Sequence, residues 1–235
     1  MTNKNDNDEN KGKDVQDKED NIDNIKEMGV PNIPETKNNI QFISIIGEIE
    51  GHSVAPNDKK TTKYEHIIPL LIAAQQDPKI EGIFIILNTV GGDVEAGLAL
   101  SELINSVDKP KVSLVLGGGH SIGVPLATST DYSFIVPTAT MTIHPIRTTG
   151  LVIGVSQTFR YFQKMQQRII NFVLRTSNIS SETLNELMYS TDEIANDVGT
   201  ILGGEEAVKY KLIDEVGGFS KALKKLKELI DEKNQ

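Results

Sequence analysis

Two rhythms of apolar residues alternate along the middle of the chain. Gln41 to Ile49 (QFISIIGEI), Gly82 to Leu87 (GIFIIL), Val112 to Leu116 (VSLVL) and Tyr132 to Val136 are short runs dense in β-branched or aromatic residues. Such runs predict strands, and GIFIIL in particular predicts one covered on both faces. Between them, His66 to Gln76 (HIIPLLIAAQQ) predicts a helix. So does Val94 to Val107, where Leu98, Leu100, Leu103 and Ile104 follow a helical period. Met141 to Ile143 adds a short strand beyond Pro137. Strands alternating with helices predict a largely parallel sheet joined by right-handed crossovers.

Past this region lies a longer helical pattern, Val155 to Arg175, with Phe159, Phe162, Met165, Ile169, Phe172 and Val173 at three- and four-residue spacings. The pattern fits either an amphipathic core helix or an oligomer-forming arm. Ser180-Ser181-Glu182-Thr183 offers a cap for another helix, Gly203-Gly204-Glu205-Glu206 starts a further one, and Phe219 to Lys233 forms the last. Residues 1–38 are different in kind. They are rich in Asp, Glu, Lys and Asn, with almost no aliphatic residues before Ile22. Such a segment buries too little apolar surface to offset its ordering entropy. The expectation is a disordered acidic and polar tail over residues 1–38 and one folded domain over residues 39–235.

Composition narrows the chemistry. The net charge of -9 argues against a nucleic-acid-binding surface. The absence of cysteine removes thiol nucleophiles, disulfides and Cys-based zinc sites. No apolar run approaches the roughly 20 residues that span a bilayer, and the N-terminal residues lack the apolar core of a secretory signal. The default expectation is a cytoplasmic protein without membrane insertion.

Chemistry concentrates at Gly119-His120-Ser121-Ile122-Gly123, directly after VSLVL and before a helix-like segment, Ile122 to Thr128. This is the G-x-S-x-G pattern of a nucleophile elbow, where a strand turns sharply into a helix and exposes a hydroxyl. A bare match also fits a tight turn with a hydroxyl cap. A serine nucleophile needs a base, usually histidine, and the chain has four. His52 falls in a loop and His66 opens a helix. His120 adjoins Ser121, and neighbours on an elbow point apart. His144 ends the strand Met141-Thr142-Ile143 and is fixed by Pro145; the C-terminal edge of a parallel sheet is where ligands are handled. His144 is therefore the candidate base. The N–H of Ile122, after the serine, is a candidate oxyanion donor. Asn88-Thr89-Val90-Gly91-Gly92-Asp93, following GIFIIL, supplies a second glycine turn for another donor, though it also fits a simple strand-to-helix connection. Gly117-Gly118-Gly119 lacks the Lys-Ser/Thr that a phosphate-binding loop requires.

These pieces, in this order, resemble the Clp-type serine peptidases. Leu87-Asn88-Thr89-Val90-Gly91-Gly92 is similar to the family's N-S-P-G-G oxyanion turn, with Val90 in place of the proline. Gly119 to Gly123 resembles its nucleophile segment. Met141-Thr142-Ile143-His144-Pro145 resembles M-I-H-Q-P without the glutamine. Gly203 to Asp214 (GGEEAVKYKLID) resembles S-A-x-E-A-x-x-Y-G-L-I-D. The resemblance covers about residues 40–218. It implies an α/β fold, the spiral of β-β-α units shared by Clp peptidases and crotonases, with a protruding handle at about residues 148–175. It implies Ser121 as nucleophile, His144 as general base, and Gly92 and Ile122 as backbone oxyanion donors, with no metal or cofactor. It also implies a homo-oligomeric ring that cleaves unfolded polypeptides, with an ATP-dependent unfoldase as a candidate partner. One branch of the family is associated with handling secretory precursors, so a weakly active oligomer assisting translocation is the alternative.

The third triad member is where the motif departs. The family has an aspartate in E-R-D-T after the handle; the matching stretch is Leu187-Met188-Tyr189-Ser190-Thr191-Asp192, followed by extra residues before Gly203. Counting from the N-terminal side puts Ser190 at the acid position. Asp192 and Asp197 are the carboxylates nearby, and Asp197 is favoured because Val198-Gly199 and the apolar residues beyond would anchor it near the sheet. A helix-capping or solvated aspartate is the bland reading of either.

Overall fold

The computed structural model describes residues 39–147, 150, 153–192 and 197–235. The expectation for residues 1–38 and part of the handle segment lie outside these. Among the described residues the order is β1 (Ile40–Glu50), β2 (Thr61–Lys63), α1 (Tyr64–Gln76), β3 (Gly82–Gly92), α2 (Val94–Ser106), β4 (Lys111–Gly119), α3 (Gly123–Thr128), β5 (Tyr132–Ile135), β6 (Thr140–Ile143), α4 (Val155–Thr176), α5 (Ser181–Tyr189), β7 (Thr200–Gly203), α6 (Gly204–Lys209), β8 (Glu215–Val216) and α7 (Phe219–Lys233).

The main sheet runs β2-β1-β3-β4-β5-β8 with every pairing parallel. Its central strands are apolar on both faces because helices cover both. Along β3 the side chains alternate: Ile83, Ile85 and Leu87 pack with Ile67 and Leu71 of α1 and Leu100 and Ile104 of α2. Phe84 turns to the opposite face, where it meets Leu114, Phe134 and the Ala222, Leu226, Ile230 stripe of α7.

The feature that builds the site is the division of β4. Its first half, Val112 to Val115, pairs with β5. Its last turn of strand leaves that ladder, and Gly118 pairs instead with Thr140 of β6. β6 then pairs antiparallel with β7, forming a small second sheet. The C-terminal ends of β3, β4 and β6 thereby converge at one corner.

Two sequence expectations change in detail. The glycine turn after GIFIIL is not a separate loop: β3 continues through Asn88, Thr89, Val90 and Gly91 to Gly92, with a register shift against β1 between Gly47 and Glu48. The ladder persists because Gly91 (φ 92°) and Gly92 (φ 146°) take backbone angles that a side chain disfavours. β2, β7 and β8 are too short and polar to register as apolar runs.

The long helix α4 docks on α2 through Arg168, which binds Glu95 with both guanidinium arms, and through Arg175, 2.7 Å from Glu102. The first pair holds the Glu95 carboxyl below its ordinary range, chiefly through the Arg168 hydrogen bond. The C-terminal half of α4 buries Ile170, Phe172 and Val173, whereas Val155, Phe159 and Tyr161 at its N-terminal half are exposed.

Candidate active site

Ser121 occupies the left-handed region at φ 57°, where L-residues other than glycine are uncommon. The turn that holds it there is bonded on both sides. His120 N–H donates to Thr89 O on β3 and Ser121 N–H donates to Thr142 O on β6, at 3.2 and 2.9 Å. Gly123 and Val124 N–H then turn back to His120 O and Ser121 O, opening α3. Gly91 lies directly against the serine; a Cβ built on it would stand 2.7 Å from Ser121 Cβ and 3.2 Å from its Oγ.

Ile122 is locked by its side chain, which fills the space where Gly97 of α2 lacks a Cβ. Among the described residues its N–H has no acceptor. On β3, Gly91 N–H is taken by Thr89 Oγ1 at 3.1 Å and Asp93 N–H by Ile49 O at 2.9 Å. Ile49 is the ladder partner of Gly92, which leaves the Gly92 N–H outside the ladder with β1.

His144 follows β6 directly, two residues beyond the Thr142 carbonyl that grips Ser121. Its Nδ1 lies 2.7 Å from its neighbour's carbonyl, Pro145 O. A carbonyl only accepts, so Nδ1 carries the proton and Nε2 is the free base nitrogen of the neutral ring. Burial, the largest influence, pushes the imidazole below its ordinary pKa; the Pro145 bond opposes this, Arg147 adds to it and Asp197 opposes it. His120 is likewise lowered, by burial and then by His144. Its Nδ1 is held by Thr142 Oγ1 at 2.8 Å.

The carboxylates are arranged differently. Asp197 is near enough to influence His144, yet both its oxygens are engaged elsewhere: Oδ2 with Arg147 at 2.8 Å and Oδ1 with Val198 N–H at 2.7 Å. Asp192 is exposed. Ser190 O accepts from Gly199 N–H at 2.8 Å. Gly199 (φ 132°) packs so tightly that a Cβ would stand 2.4 Å from Ile143 O and 2.8 Å from His144 Cβ.

Beside Pro145, a cavity of about 360 Å³ is lined by residues including Phe159, Phe162, Gln163, Gln166 and Tyr189. Among the described residues no group of three His, Asp or Glu side chains is placed to hold a metal ion.

The profile of the Clp proteases matches residues 42–219, which include the elbow, the histidine and both glycine turns. The chain belongs to the Clp protease family. It is 59% identical over 208 residues to the translocation-enhancing protein TepA of Halalkalibacterium halodurans, covering 88% of this chain and 81% of that one. It is 30% identical to an ATP-dependent Clp protease proteolytic subunit 2 of Chlamydia trachomatis over 67% of this chain and 75% of that one. A ClpP1 point mutant from Listeria monocytogenes superposes with a TM-score of 0.62 at 19% identity, covering 78% of this chain and 94% of that one, a likeness of fold. The architecture expected from the motifs, a ClpP-like α/β fold, is the one found.

Sequence reasoning missed Gly91, Thr142, Gln166 and Gly199 as parts of the corner. The two glycines were legible only as turn residues. Thr142 acts through its backbone carbonyl and Gln166 through a side chain that meets a backbone N–H, and neither leaves a motif.

Proposed function

We propose that this protein is a serine endopeptidase acting on extended polypeptides, with Ser121 as nucleophile and His144 as general base. The observation that carries the reading is the bond from Ser121 N–H to Thr142 O, which ties the strained elbow to the strand ending in a histidine protonated on its far nitrogen. Ser121 Oγ attacks the peptide carbonyl carbon as its proton passes to His144 Nε2. The tetrahedral oxyanion is received by Ile122 and Gly92 N–H groups. Its collapse breaks the C–N bond, and His144 returns the proton to the departing amine. Water, deprotonated by the same nitrogen, then hydrolyses the acyl-enzyme. The lowered pKa of His144 keeps it a base at neutral pH. Asp197 contributes a negative field from a distance.

The family's ring assembly fits the exposed Val155, Phe159 and Tyr161 on α4, which match the expected handle. By analogy with relatives named as ATP-dependent proteolytic subunits, an ATP-driven unfoldase delivers the substrate. Delivery by an ATP-driven unfoldase would place the protein in the cytoplasm.

A second reading, a weakly active oligomer that assists preprotein translocation, is favoured by one observation: the Asp197 carboxylate rests on Arg147. It agrees with the name of the 59% identical relative. A fluorophosphonate tests the first reading. It should phosphonylate the wild-type protein at Ser121, and Ser121→Ala should abolish labelling; unchanged labelling of that variant removes the assignment. Turnover of fluorogenic peptides separates the two readings, because cleavage that is lost in His144→Gln requires the enzyme.

A further inference from the structure

The far side of His144 rests on one peptide unit, Pro145–Ile146, and both of its polar groups are engaged. Its carbonyl oxygen receives His144 Nδ1 at 2.7 Å. Its N–H donates to Gln166 Oε1, also at 2.7 Å. Gln166 is a polar side chain on the buried face of α4, with only 9% exposure, beside Met165 and Ile170. Its amide can face only one way. Ile146 N–H is a donor, so Oε1 must meet it, and Nε2 then reaches Met188 Sδ on α5 at 2.9 Å. The result is a continuous line from α5 through α4 and the peptide to the imidazole.

We infer that Gln166 is a positioning residue, which aims the Pro145–Ile146 peptide so that its carbonyl takes over the orienting work of a triad carboxylate. The inference rests on the Ser121–His144 reading. Physically, a carbonyl on Nδ1–H fixes the tautomer and the ring plane, as a carboxylate would. An acceptor on the peptide N–H polarises that carbonyl further, because linked hydrogen bonds strengthen one another. When the imidazole takes the serine proton, its new charge faces the negative end of an aligned dipole. A peptide carries less charge than a carboxylate, so a base oriented in this way is slower than a full triad but still competent. Among the described residues Asp197 makes no hydrogen bond to His144; its oxygens meet Arg147 and Val198 N–H, and Pro145 O takes the Nδ1 proton. Among the described residues Arg147 lowers and Asp197 raises the pKa of His144, and His120 is itself lowered by His144.

The test compares three variants by the rate of fluorophosphonate labelling and by the ¹⁵N NMR signature of His144. Gln166→Leu removes the acceptor at similar volume. It should slow labelling about fivefold to tenfold, the worth of one hydrogen bond. It should also mix the His144 tautomers and move the acid limb of the labelling profile to lower pH, since the Pro145 bond raises the pKa. Gln166→Glu keeps an acceptor oxygen and should restore both rate and tautomer. Asp197→Asn should slow labelling less than Gln166→Leu and leave the Nδ1–H tautomer in place. The inference is overturned if Asp197→Asn loses that tautomer, or if Gln166→Leu and Gln166→Glu behave alike. The tautomer is read without turnover, so it distinguishes failure here from failure of the peptidase reading, which would appear as wild-type protein that does not label at Ser121.

Discussion

The two walls of this corner are built by different means. The wall that carries Ser121 is made of strand ends: His120 and Ser121 N–H are tied to β3 and β6 and the Ser121 carbonyl to the first turn of α3, while the Ile122 and Gly92 N–H groups stay outside these bonds. The wall behind His144 is made of a peptide, a glutamine and the contact in which Gly199 N–H donates to Ser190 O. The first wall has little freedom to change, because shifting it would disturb β3, β4 and β6 together. The second can vary its acid without disturbing the sheet. The sheet therefore holds Ser121 in a fixed frame, while the groups that meet His144 come from outside the sheet ladders.

This contrast can be broken most forcefully at Gly91. Alanine there has its Cβ 2.7 Å from Ser121 Cβ and a φ of 92° to sustain. Gly91→Ala should lose nearly all phosphonylation and about 1–3 kcal/mol of stability, as overpacking does; thermal melts and labelling check both. Gly199→Ala makes the same insult on the other wall, 2.4 Å from Ile143 O. It should cost similar stability but reduce labelling less, because the added Cβ presses on Ile143 and His144 rather than on Ser121 itself. The smallest effect belongs to Arg147→Gln. The pair with Asp197 is half exposed, so melting should move by less than about 1 kcal/mol. Removing this cation raises the pKa of His144, so the acid limb of labelling should move to higher pH.

The same contrast explains what could be read from the sequence. The strands and helices of the first wall appear as apolar periodicity, and Ser121 and His144 as short motifs, because strand ends and elbows need particular residue types at particular spacings. β3 was legible only to Leu87, since Asn88-Thr89-Val90-Gly91-Gly92 has the composition of a turn while its glycines prolong the ladder. The second wall left no such trace. Pro145 supplies a backbone carbonyl, Gln166 resembles any polar helix residue, and Asp197 was favoured for its neighbours rather than for its own contacts, which lie with Arg147 and Val198.

Under the proposed function Ser121 is activated by a neutral His144 of lowered pKa. This activation is tested most directly by the pH dependence of Ser121 phosphonylation in wild-type and His144→Gln protein. Below its pKa the imidazole holds a proton on Nε2 and cannot accept another. The account predicts that wild-type labelling falls as pH drops through a midpoint below the ordinary histidine value of about 6.5. It further predicts that His144→Gln is slower at pH 7 by about a hundredfold or more. Equal rates and equal pH profiles for the two proteins would contradict it.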